Sequence, residues 1–505
     1  MSGIKGSKEP GTETLDDSEL PNETESLTPE EGSDQESDTG KLKQLLSVLR
    51  KVVGVKDLAN LRLSLPANLL EPSGNLEWWH YLDRPDLFAA IGEKELDPLT
   101  RFTAILRWMT CATSEGGLGE QFRCIWEVTP ASPHEFMVHQ DVSDVSRPDL
   151  GYPSASQAVS QPVSPALSAK RNDLPKSMST LSLSNDTSSA SHKKGRSSFS
   201  GSSGSSQANP DLPSKSCAPG PCKVVFLNEQ ISHHPPISAF WYESTASTSR
   251  AAVQATGVDQ IAAKFNGTSV KIGPGSQNKG IFIRAPSATP DEYQITHAGG
   301  YISGLLSAKP YITLCDHTYV NTITPGGNGQ VYKAIVQYSD ESWISKPRFL
   351  VEGVIYEAAS GSANHERIKQ VPETAIVARI KGTWRGKIII KKTKSDKAES
   401  VLLDMTKLDV VPKRVRPVVK QHEMETRRFW EPVSNAINRK DYKQATLHKQ
   451  TIEQAQRDKA AVMAKNNVEF VPSFFSPDIS TGRASLTANG KVGLKKEFDL
   501  VDYHP

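Results

Sequence analysis

The chain has 505 residues, 37% of them hydrophobic and 23% charged, which is enough for more than one domain. Its first forty residues hold twelve Asp or Glu against two Lys, a net charge of −10. Because the whole chain carries +2, the remainder carries +12. This basic remainder of the chain suits an anionic partner, either a membrane surface or nucleic acid, although excess charge can also serve only to keep a protein soluble.

The cysteines and the hydropathy pattern exclude other classes of protein. Five Cys without a repeating spacing do not resemble a disulfide framework, which favours free thiols in a reducing cytosol. No apolar run reaches the roughly 18–20 residues of a membrane-spanning helix, and the first residues do not resemble a signal peptide. We therefore expect any membrane contact to be peripheral and reversible.

The N-terminal part of the chain predicts a disordered tail followed by ordered segments. Residues 1–40 are acidic and poor in large apolar side chains, so they cannot offset the entropy of ordering. Residues 42–53 place Leu and Val at helical spacing and predict a helix. The next segment alternates apolar and polar residues up to a proline, which predicts a short extended stretch. Its main apolar positions are Leu58, Leu61, Leu63 and Leu65.

Two helices and a strand are predicted next. An aromatic-rich helix over residues 76–91 is kinked or divided by Pro85, and a second helix over 98–110 has Pro at its first position. Apolar and polar residues alternate from Phe122 onward, which predicts that a strand begins there. The pattern then stops, because Ser dominates residues 130–219 and periodicity is almost absent. We predict a long disordered insertion there.

The residues after the insertion predict a large sheet. Short apolar–polar segments alternate with clusters of Gly, Pro, Asn and Asp. The predicted strands cover residues 223–227, 239–243, 260–265, 269–272, 280–284, 292–296, 301–306, 311–314, 330–338, 349–357, 375–380, 387–391 and 400–403. So many consecutive strands favour closure into a barrel, which removes exposed edges and can enclose a cavity. Helices are predicted over 423–437 and 440–465. We expect one domain over residues 41–475 and a tail over 476–505.

Two adjacent histidines, His233 and His234, stand in the segment from Glu229 to Pro236. They suggest a metal ligand, a catalytic base or a phosphate receptor. Neighbouring side chains on a strand point to opposite faces, so both rings cannot easily hold one ion. No Asp, Glu or Cys at a useful spacing completes a metal site. Two ring N–H donors made rigid by the following prolines suit a phosphate, and two purely structural histidines are the alternative.

This octet resembles the signature of the oxysterol-binding protein family, including its short fungal-type members. The resemblance extends over about residues 41–475, apart from the insertion. Other matching segments are Leu69-Leu-Glu-Pro72, Gly119-Glu-Gln-Phe122, Gly382-Thr-Trp384, Val415-Arg-Pro417 and Glu425-Thr-Arg-Arg-Phe-Trp430.

The resemblance implies a mainly β fold with flanking helices. Its centre would be a large, nearly closed antiparallel β-barrel around one apolar lipid tunnel, with an N-terminal helical lid and C-terminal helices. The lid and tunnel mouth would include Leu58, Leu61, Leu63 and Leu65. Members of the family bind a sterol or phosphatidylserine, and many exchange it for phosphatidylinositol 4-phosphate. The resemblance implies no enzymatic activity, no cofactor and no metal.

The family also holds the phosphoinositide headgroup with a Lys, a Glu and an Arg on one C-terminal helix. Lys449, Glu453 and Arg457 match that pattern, and their spacing of four residues places them on one helix face. Together with His233 and His234 they form the predicted headgroup site. Taken alone, such a triplet would be an ordinary solvated helix face.

One segment departs from the family. Its members have Lys-Pro-x-Asn-Pro just before Leu-Gly-Glu, and this chain has neither the Lys nor the Asn between Arg107 and Glu120. Because those residues contribute to headgroup binding in the family, we expect weaker phosphoinositide binding here. Arg107 and Arg123 are the first candidates to replace the missing cation.

We therefore expect an intracellular lipid-transfer protein in the cytosol, reversibly attached to anionic membrane surfaces such as endoplasmic reticulum contact sites. A sensor that binds the same lipids without transporting them would have the same fold. A hydrolase using His233 or His234 is more distant, since no Gly-x-Ser-x-Gly motif or paired carboxylates accompany them. Nucleic acid is not expected as a partner, because the basic residues do not form a recognisable module with aromatic residues.

Overall fold

The computed structural model describes most of the predicted lipid-binding domain. The described residues are 67–77, 80–109, 119–131, 221–233, 235–285, 291–305, 310–325, 329–339, 348–393 and 399–499, with Gly40 and Ser47. The predicted lid, with Leu58, Leu61, Leu63 and Leu65, lies outside these residues. So do the acidic tail up to residue 39 and residues 132–219 of the predicted insertion.

The N-terminal helical elements are short turns at Ala67–Leu69 and Asn75–Glu77, α1 (Pro85–Ala90) and α2 (Pro98–Trp108). The helix predicted over residues 76–91 forms only in its second part, because residues 80–84 are not helical and α1 begins at Pro85, the residue predicted to kink or divide the helix. A proline ring fits the first turn of a helix but interrupts one that is already running. The second prediction is confirmed. The carboxylate of Asp97 caps α2 by accepting from the backbone N–H of Leu99 at 3.1 Å and of Thr100 at 3.0 Å.

Within the described residues, sixteen strands build two sheets. They are β1 (Gln121–Val128), β2 (Cys222–His233), β3 (Pro236–Ser244), β4 (Gln254–Asp259), β5 (Ile261–Phe265), β6 (Val270–Pro274), β7 (Ile281–Ala285), β8 (Asp291–Ile295), β9 (Gly299–Ser303), β10 (Tyr311–Cys315), β11 (His317–Thr324), β12 (Val331–Tyr338), β13 (Leu350–Ala358), β14 (Ile376–Thr383), β15 (Lys387–Lys392) and β16 (Glu399–Asp404). The larger sheet has twelve strands in the order β1-β2-β3-β4-β7-β8-β11-β12-β13-β14-β15-β16, and the smaller has the order β10-β9-β6-β5. Neighbouring strands in both sheets pair antiparallel, so the predicted mainly β fold with a large antiparallel sheet is confirmed.

The two ends of the large sheet are brought together by the chain that follows β16. Ile125 on the outer edge of β1 exchanges two backbone hydrogen bonds with Arg414, of 3.0 and 2.8 Å. The indole Nε1 of Trp126 donates to the carbonyl oxygen of Val411 at 3.1 Å. Because β16 ends at Asp404, these contacts join the first strand to residues seven to ten positions after the end of the last. The sheet is thus nearly closed without β1 and β16 pairing directly.

The two faces of β1 belong to different layers. Phe122, Cys124 and Trp126 lie in the main hydrophobic core, together with Phe102 and Trp108 of α2. Successive side chains on a strand point to opposite faces, so the intervening residues face outward. On that outer face Ile125 packs in a second cluster. Its other members include Leu227, Phe474, Phe475 and Leu494. The sheet therefore has an apolar inner face and an outer face covered by the C-terminal segment.

The C-terminal helices are α3 (Thr426–Phe429), α4 (Glu431–Asn438), α5 (Tyr442–Lys465) and α6 (Ala488–Phe498). The predicted tail over residues 476–505 therefore contains α6, whose Leu494 and Glu497 are buried. The packed unit extends beyond the boundary predicted at residue 475, and Gly490 lets the helix backbone approach the carbonyl oxygen of Phe474 closely. Among the described residues, no helix combines the length and apolarity needed to cross a bilayer.

Candidate functional site

The β2–β3 hairpin carries the histidine motif. β2 ends at His233, and Pro236 begins β3 opposite it. Proline lacks an N–H and is tolerated at the first residue of a strand, so the motif can form the turn. His233 is exposed at this end of the sheet, and His234 lies outside the described residues.

The ring of His233 is oriented by Gln230. The buried Gln230 side chain places its Nε2 3.0 Å from the carbonyl oxygen of Ser232 and 3.3 Å from Nδ1 of His233. An amide nitrogen only donates, so Nδ1 accepts, and the proton of the neutral ring lies on Nε2. His233 therefore has an N–H donor at Nε2, and Gln230 of the same strand fixes the orientation of its ring.

The predicted triplet of Lys449, Glu453 and Arg457 lies on α5. Nζ of Lys449 donates to Oε1 of Glu453 at 2.6 Å, and Nη2 of Arg457 lies 3.6 Å from Oε2 of the same carboxylate. The three side chains thus share one helix face, as their spacing predicts. Lys449 is buried, whereas Arg457 is exposed. Glu453 bridges the two cations, so a ligand phosphate would have to compete with a carboxylate for them.

Glu120 connects the histidine end of the sheet to the C-terminal helices. Its carbonyl oxygen accepts from the backbone N–H of Gln230 at 2.9 Å. Its fully buried carboxylate accepts from Oγ1 of Thr426 at 2.8 Å and from Nε1 of Trp430 at 3.0 Å. Trp430 packs in the cluster that includes Ile452, the residue before Glu453. One glutamate therefore links the hairpin strand to the cluster under α5.

A cavity of about 340 Å³ lies beside this connection. Gly119 and Glu229 line it from the sheet, Lys459 lines it from α5, and Ser473 lines it from the C-terminal segment. Glu229 is buried and accepts from the backbone N–H of Ser473 and Phe474, both at 2.7 Å. Burial raises the pKa of this carboxyl, against the lowering effect of these hydrogen bonds. The first residue of the octet thus anchors the C-terminal segment.

The sequence of this unit matches known proteins. The family model described as oxysterol-binding protein matches residues 215–495. The oxysterol-binding protein-like protein 1 of Schizosaccharomyces pombe is 35% identical over 92% of this chain and 92% of its own length. The chain belongs to the oxysterol-binding protein family. The protein named OBPa of Candida albicans is 28% identical, over 55% of this chain and 58% of its own.

A solved structure supports the same fold. The crystal structure of the Osh1 ORD domain in complex with cholesterol has a TM-score of 0.52 at 16% identity, covering 90% of this chain and 88% of that one. At this identity the likeness concerns the fold alone. It agrees with the large antiparallel sheet and the flanking helices described above.

Arg107 and Arg123, the two candidates to replace the missing cation of the family, are both buried and contact other groups of the protein. Nη2 of Arg123 lies 2.6 Å from the Glu425 carboxylate, and its Nη1 lies 3.4 Å from Glu497. Nε of Arg107 donates to the carbonyl oxygen of Leu402 at 3.1 Å. Burial lowers the pKa of the Arg107 guanidinium to about 10. Arg123 is thus committed to carboxylates of the protein itself, and residues 110–118 lie outside the described residues.

A buried polar cluster interrupts the apolar interior. The Tyr81 hydroxyl donates to Oδ1 of Asp259 at 2.8 Å, and Nδ2 of Asn278 donates to the same oxygen at 3.2 Å. The His297 ring stacks on Tyr81, and its Nε2 lies 3.9 Å from Asp259. Burial lowers the pKa of His297 to about 4, so the ring is neutral near pH 7. Sequence reasoning missed this cluster because its members come from four distant segments.

The arrangement of His, Cys, Asp and Glu side chains bears on metal binding. Within the residues that the structure describes, no three His, Cys, Asp or Glu side chains gather as a metal site requires. Cys124, Cys222 and Cys315 are buried. Burial raises the pKa of the Cys124 thiol well above its ordinary value, so this thiol stays protonated.

Proposed function

We propose that this protein binds a single membrane lipid inside its large sheet and carries it between membranes. The carried lipid is a sterol or phosphatidylserine, exchanged for phosphatidylinositol 4-phosphate. The observation that supports this most is the apolar inner face of a nearly closed twelve-stranded sheet. Membership of the oxysterol-binding protein family and the likeness to a cholesterol complex of the Osh1 ORD domain support it too.

Such transfer requires burial and no bond chemistry. A lipid that leaves a bilayer exposes apolar surface to water at about 25 cal/mol per Å². An apolar interior removes most of that cost, and the lid segment with Leu58, Leu61, Leu63 and Leu65 would close over it. The protein acts without cofactor or metal, and its lipid leaves chemically unchanged. A hydrolase using His233 would instead need an activated nucleophile beside that ring.

The headgroup of the exchanged phosphoinositide binds at His233, His234, Lys449, Glu453 and Arg457. The fixed Nε2–H of His233 and the paired cations of α5 supply donors of the kind that phosphate oxygens accept. Glu453 releases the cations as the phosphate arrives and accepts from an inositol hydroxyl. The contacts through Glu120 and Trp430 support this assignment, because they connect the hairpin with α5.

The protein works at the surface of membranes. Its net charge of +12 outside the acidic tail favours anionic lipid, with each nearby Lys or Arg contributing about 1 kcal/mol. The cytosol, with reversible attachment at endoplasmic reticulum contact sites, is the compartment that fits a peripheral carrier. Nucleic acid is not among its partners.

Transfer between two vesicle populations tests the proposal. Donor vesicles carry a fluorescent sterol or phosphatidylserine, and acceptor vesicles carry phosphatidylinositol 4-phosphate. The protein should accelerate movement of the lipid, and faster movement with the phosphoinositide present would indicate exchange. Binding of the lipid without transfer would instead identify a sensor. Recovery of hydrolysed lipid by mass spectrometry would identify an enzyme.

A further inference from the structure

The outward face of α6 is strongly basic. One side of this helix packs on the outer face of β1 and β2. Its buried residues are Gly490, Gly493, Leu494 and Glu497. The opposite side exposes Lys491, Val492, Lys495 and Lys496. The only acidic side chain within the helix, Glu497, points into the protein, so the exposed face carries three positive charges.

This face is held in a fixed orientation. Oε1 of Glu497 lies 3.4 Å from Nη1 of Arg123 on β1 and 3.1 Å from Nε of Arg416, which follows β16. At the other end of the helix, Oγ1 of Thr487 accepts from the backbone N–H of Gly490 at 3.0 Å. The helix therefore cannot turn its lysines toward the protein without breaking a buried ion pair. The same carboxylate thus ties the helix both to β1 and to the segment that carries Arg416.

The stability of the helix explains only part of this charge. Lys495 and Lys496 lie in the last turn, where the helix dipole favours cations. Lys491 lies in the second turn from the N-terminus and is four residues from Lys495, so the two like charges repel. Among the described residues none of the three lysines has an acidic partner within 4.0 Å. The arrangement thus costs the helix stability. The exposed Asp499 at its C-cap is one carboxylate for three lysines, so this face suits an anionic partner outside the chain.

An apolar side chain stands among these charges. Val492 is 52% exposed and is three and four residues from Lys495 and Lys496, which makes them neighbours on the helix surface. Lysines attract anionic headgroups, while an exposed apolar side chain between them can enter the boundary of the acyl chains. We infer that α6 is a surface by which this protein docks on an anionic lipid bilayer. The inference rests on the proposed function, which places the protein at membranes.

Vesicle sedimentation with the full chain tests this docking surface. The test variant is Lys491→Gln, Lys495→Gln, Lys496→Gln. The matched control is Lys264→Gln, Lys369→Gln, Lys391→Gln, which removes the same charge from three exposed lysines on other elements. Vesicles are pure phosphatidylcholine, or phosphatidylcholine with phosphatidylserine. Wild type and control should bind the phosphatidylserine vesicles, and the α6 variant should bind them roughly a hundredfold more weakly.

Two results would overturn the inference. One is equal binding of the α6 variant and the control, and the other is failure of the wild type to prefer phosphatidylserine vesicles. Binding of the wild type should also weaken at high salt, because the attraction is screened. Uptake of a fluorescent sterol from detergent micelles is measured in parallel. If neither the wild type nor the variants take up sterol, the proposed carrier function is wrong. If the α6 variant still loses vesicle binding in that case, the inferred docking surface remains supported.

Discussion

The indole Nε1 of Trp430 donates to Oε2 of Glu120 at 3.0 Å, across 310 positions of sequence. The same carboxylate accepts from Thr426, so the chain before β1 is fixed to the start of the C-terminal helices. Glu120 also accepts from the backbone N–H of Gln230 on the histidine strand, and Trp430 packs in the cluster that includes Ile452 of α5. The proposed headgroup site therefore depends on a buried carboxylate that touches no ligand.

We expect Glu120→Ala to lower the free energy of unfolding by about 1–3 kcal/mol, because it leaves the indole N–H of Trp430 without its acceptor and leaves the Thr426 hydroxyl only the carbonyl oxygen of Gln121. Chemical denaturation measures this change. Glu127→Gln is the matched control: Glu127 pairs with Arg414 in an exposed ion pair, so its loss should cost less than about 1 kcal/mol. Equal losses for the two variants would show that Glu120 does not hold the junction.

Replacing both His233 and His234 by Ala should remove phosphoinositide binding and leave sterol or phosphatidylserine uptake intact. The histidines would contact only the headgroup, whereas the other lipids depend on the apolar interior. Vesicle-based extraction of each lipid measures both properties in one preparation. Equal loss of both ligands would mean that the histidines are structural.

Lys449→Ala should weaken phosphoinositide binding by about 1.5–3 kcal/mol, or roughly ten- to a hundredfold, the contribution of one charge-assisted hydrogen bond. Lys443→Ala is the control, since Lys443 is an exposed lysine of the same helix. Isothermal titration with a short-chain phosphoinositide gives both affinities. A similar loss for the two variants would point to a general effect of charge instead of a site.

Stability should fall in mild acid because two histidines are buried in the neutral form. Burial, with a smaller effect of Lys413, lowers the pKa of His80 to about 3, and burial lowers that of His297 to about 4. Below pH 6.5 the unfolded chain binds protons that the folded chain does not, so folding stability decreases as pH falls. Each histidine contributes up to about 1.4 kcal/mol per pH unit. His80→Asn should reduce this slope, and a flat profile in the wild type between pH 7 and 5 would contradict the burial.

Deleting residues 132–215 should leave folding and lipid binding unchanged. Val128 of β1 lies opposite Cys222 of β2, so the insertion leaves and returns at one hairpin. The remaining residues suffice for a short turn between the two strands. Thermal unfolding and lipid uptake of the deletion variant check this. Aggregation of that variant would show that the insertion takes part in the fold.

Strand positions were largely predictable, because turns and apolar alternation mark them. The strands β4 and β11 were not predicted, and each omission has a physical reason. Gly257 breaks the pattern of β4, where the Phe240 ring leaves no room for a side chain. In β11 the buried positions include the polar Asn321 and Thr322, so burial does not follow hydrophobicity.

The site was predictable only where its residues are close in sequence. The four-residue spacing of Lys449, Glu453 and Arg457 predicted their shared helix face, and the ion pairs agree. The link through Glu120 and Trp430 depends on how distant segments pack, which no local pattern encodes. The ion pairs of Arg123 with Glu425 and Glu497 could not be predicted for the same reason, because both carboxylates are far from Arg123 in sequence.

The identity and number of lipids that remain bound to the purified full chain test the central claim most directly. Native mass spectrometry of the protein, followed by lipid extraction, measures both. The account predicts one lipid per chain, a sterol, phosphatidylserine or phosphatidylinositol 4-phosphate, released unchanged and replaceable by the others. A chain that carries no lipid and takes up none from vesicles would contradict it.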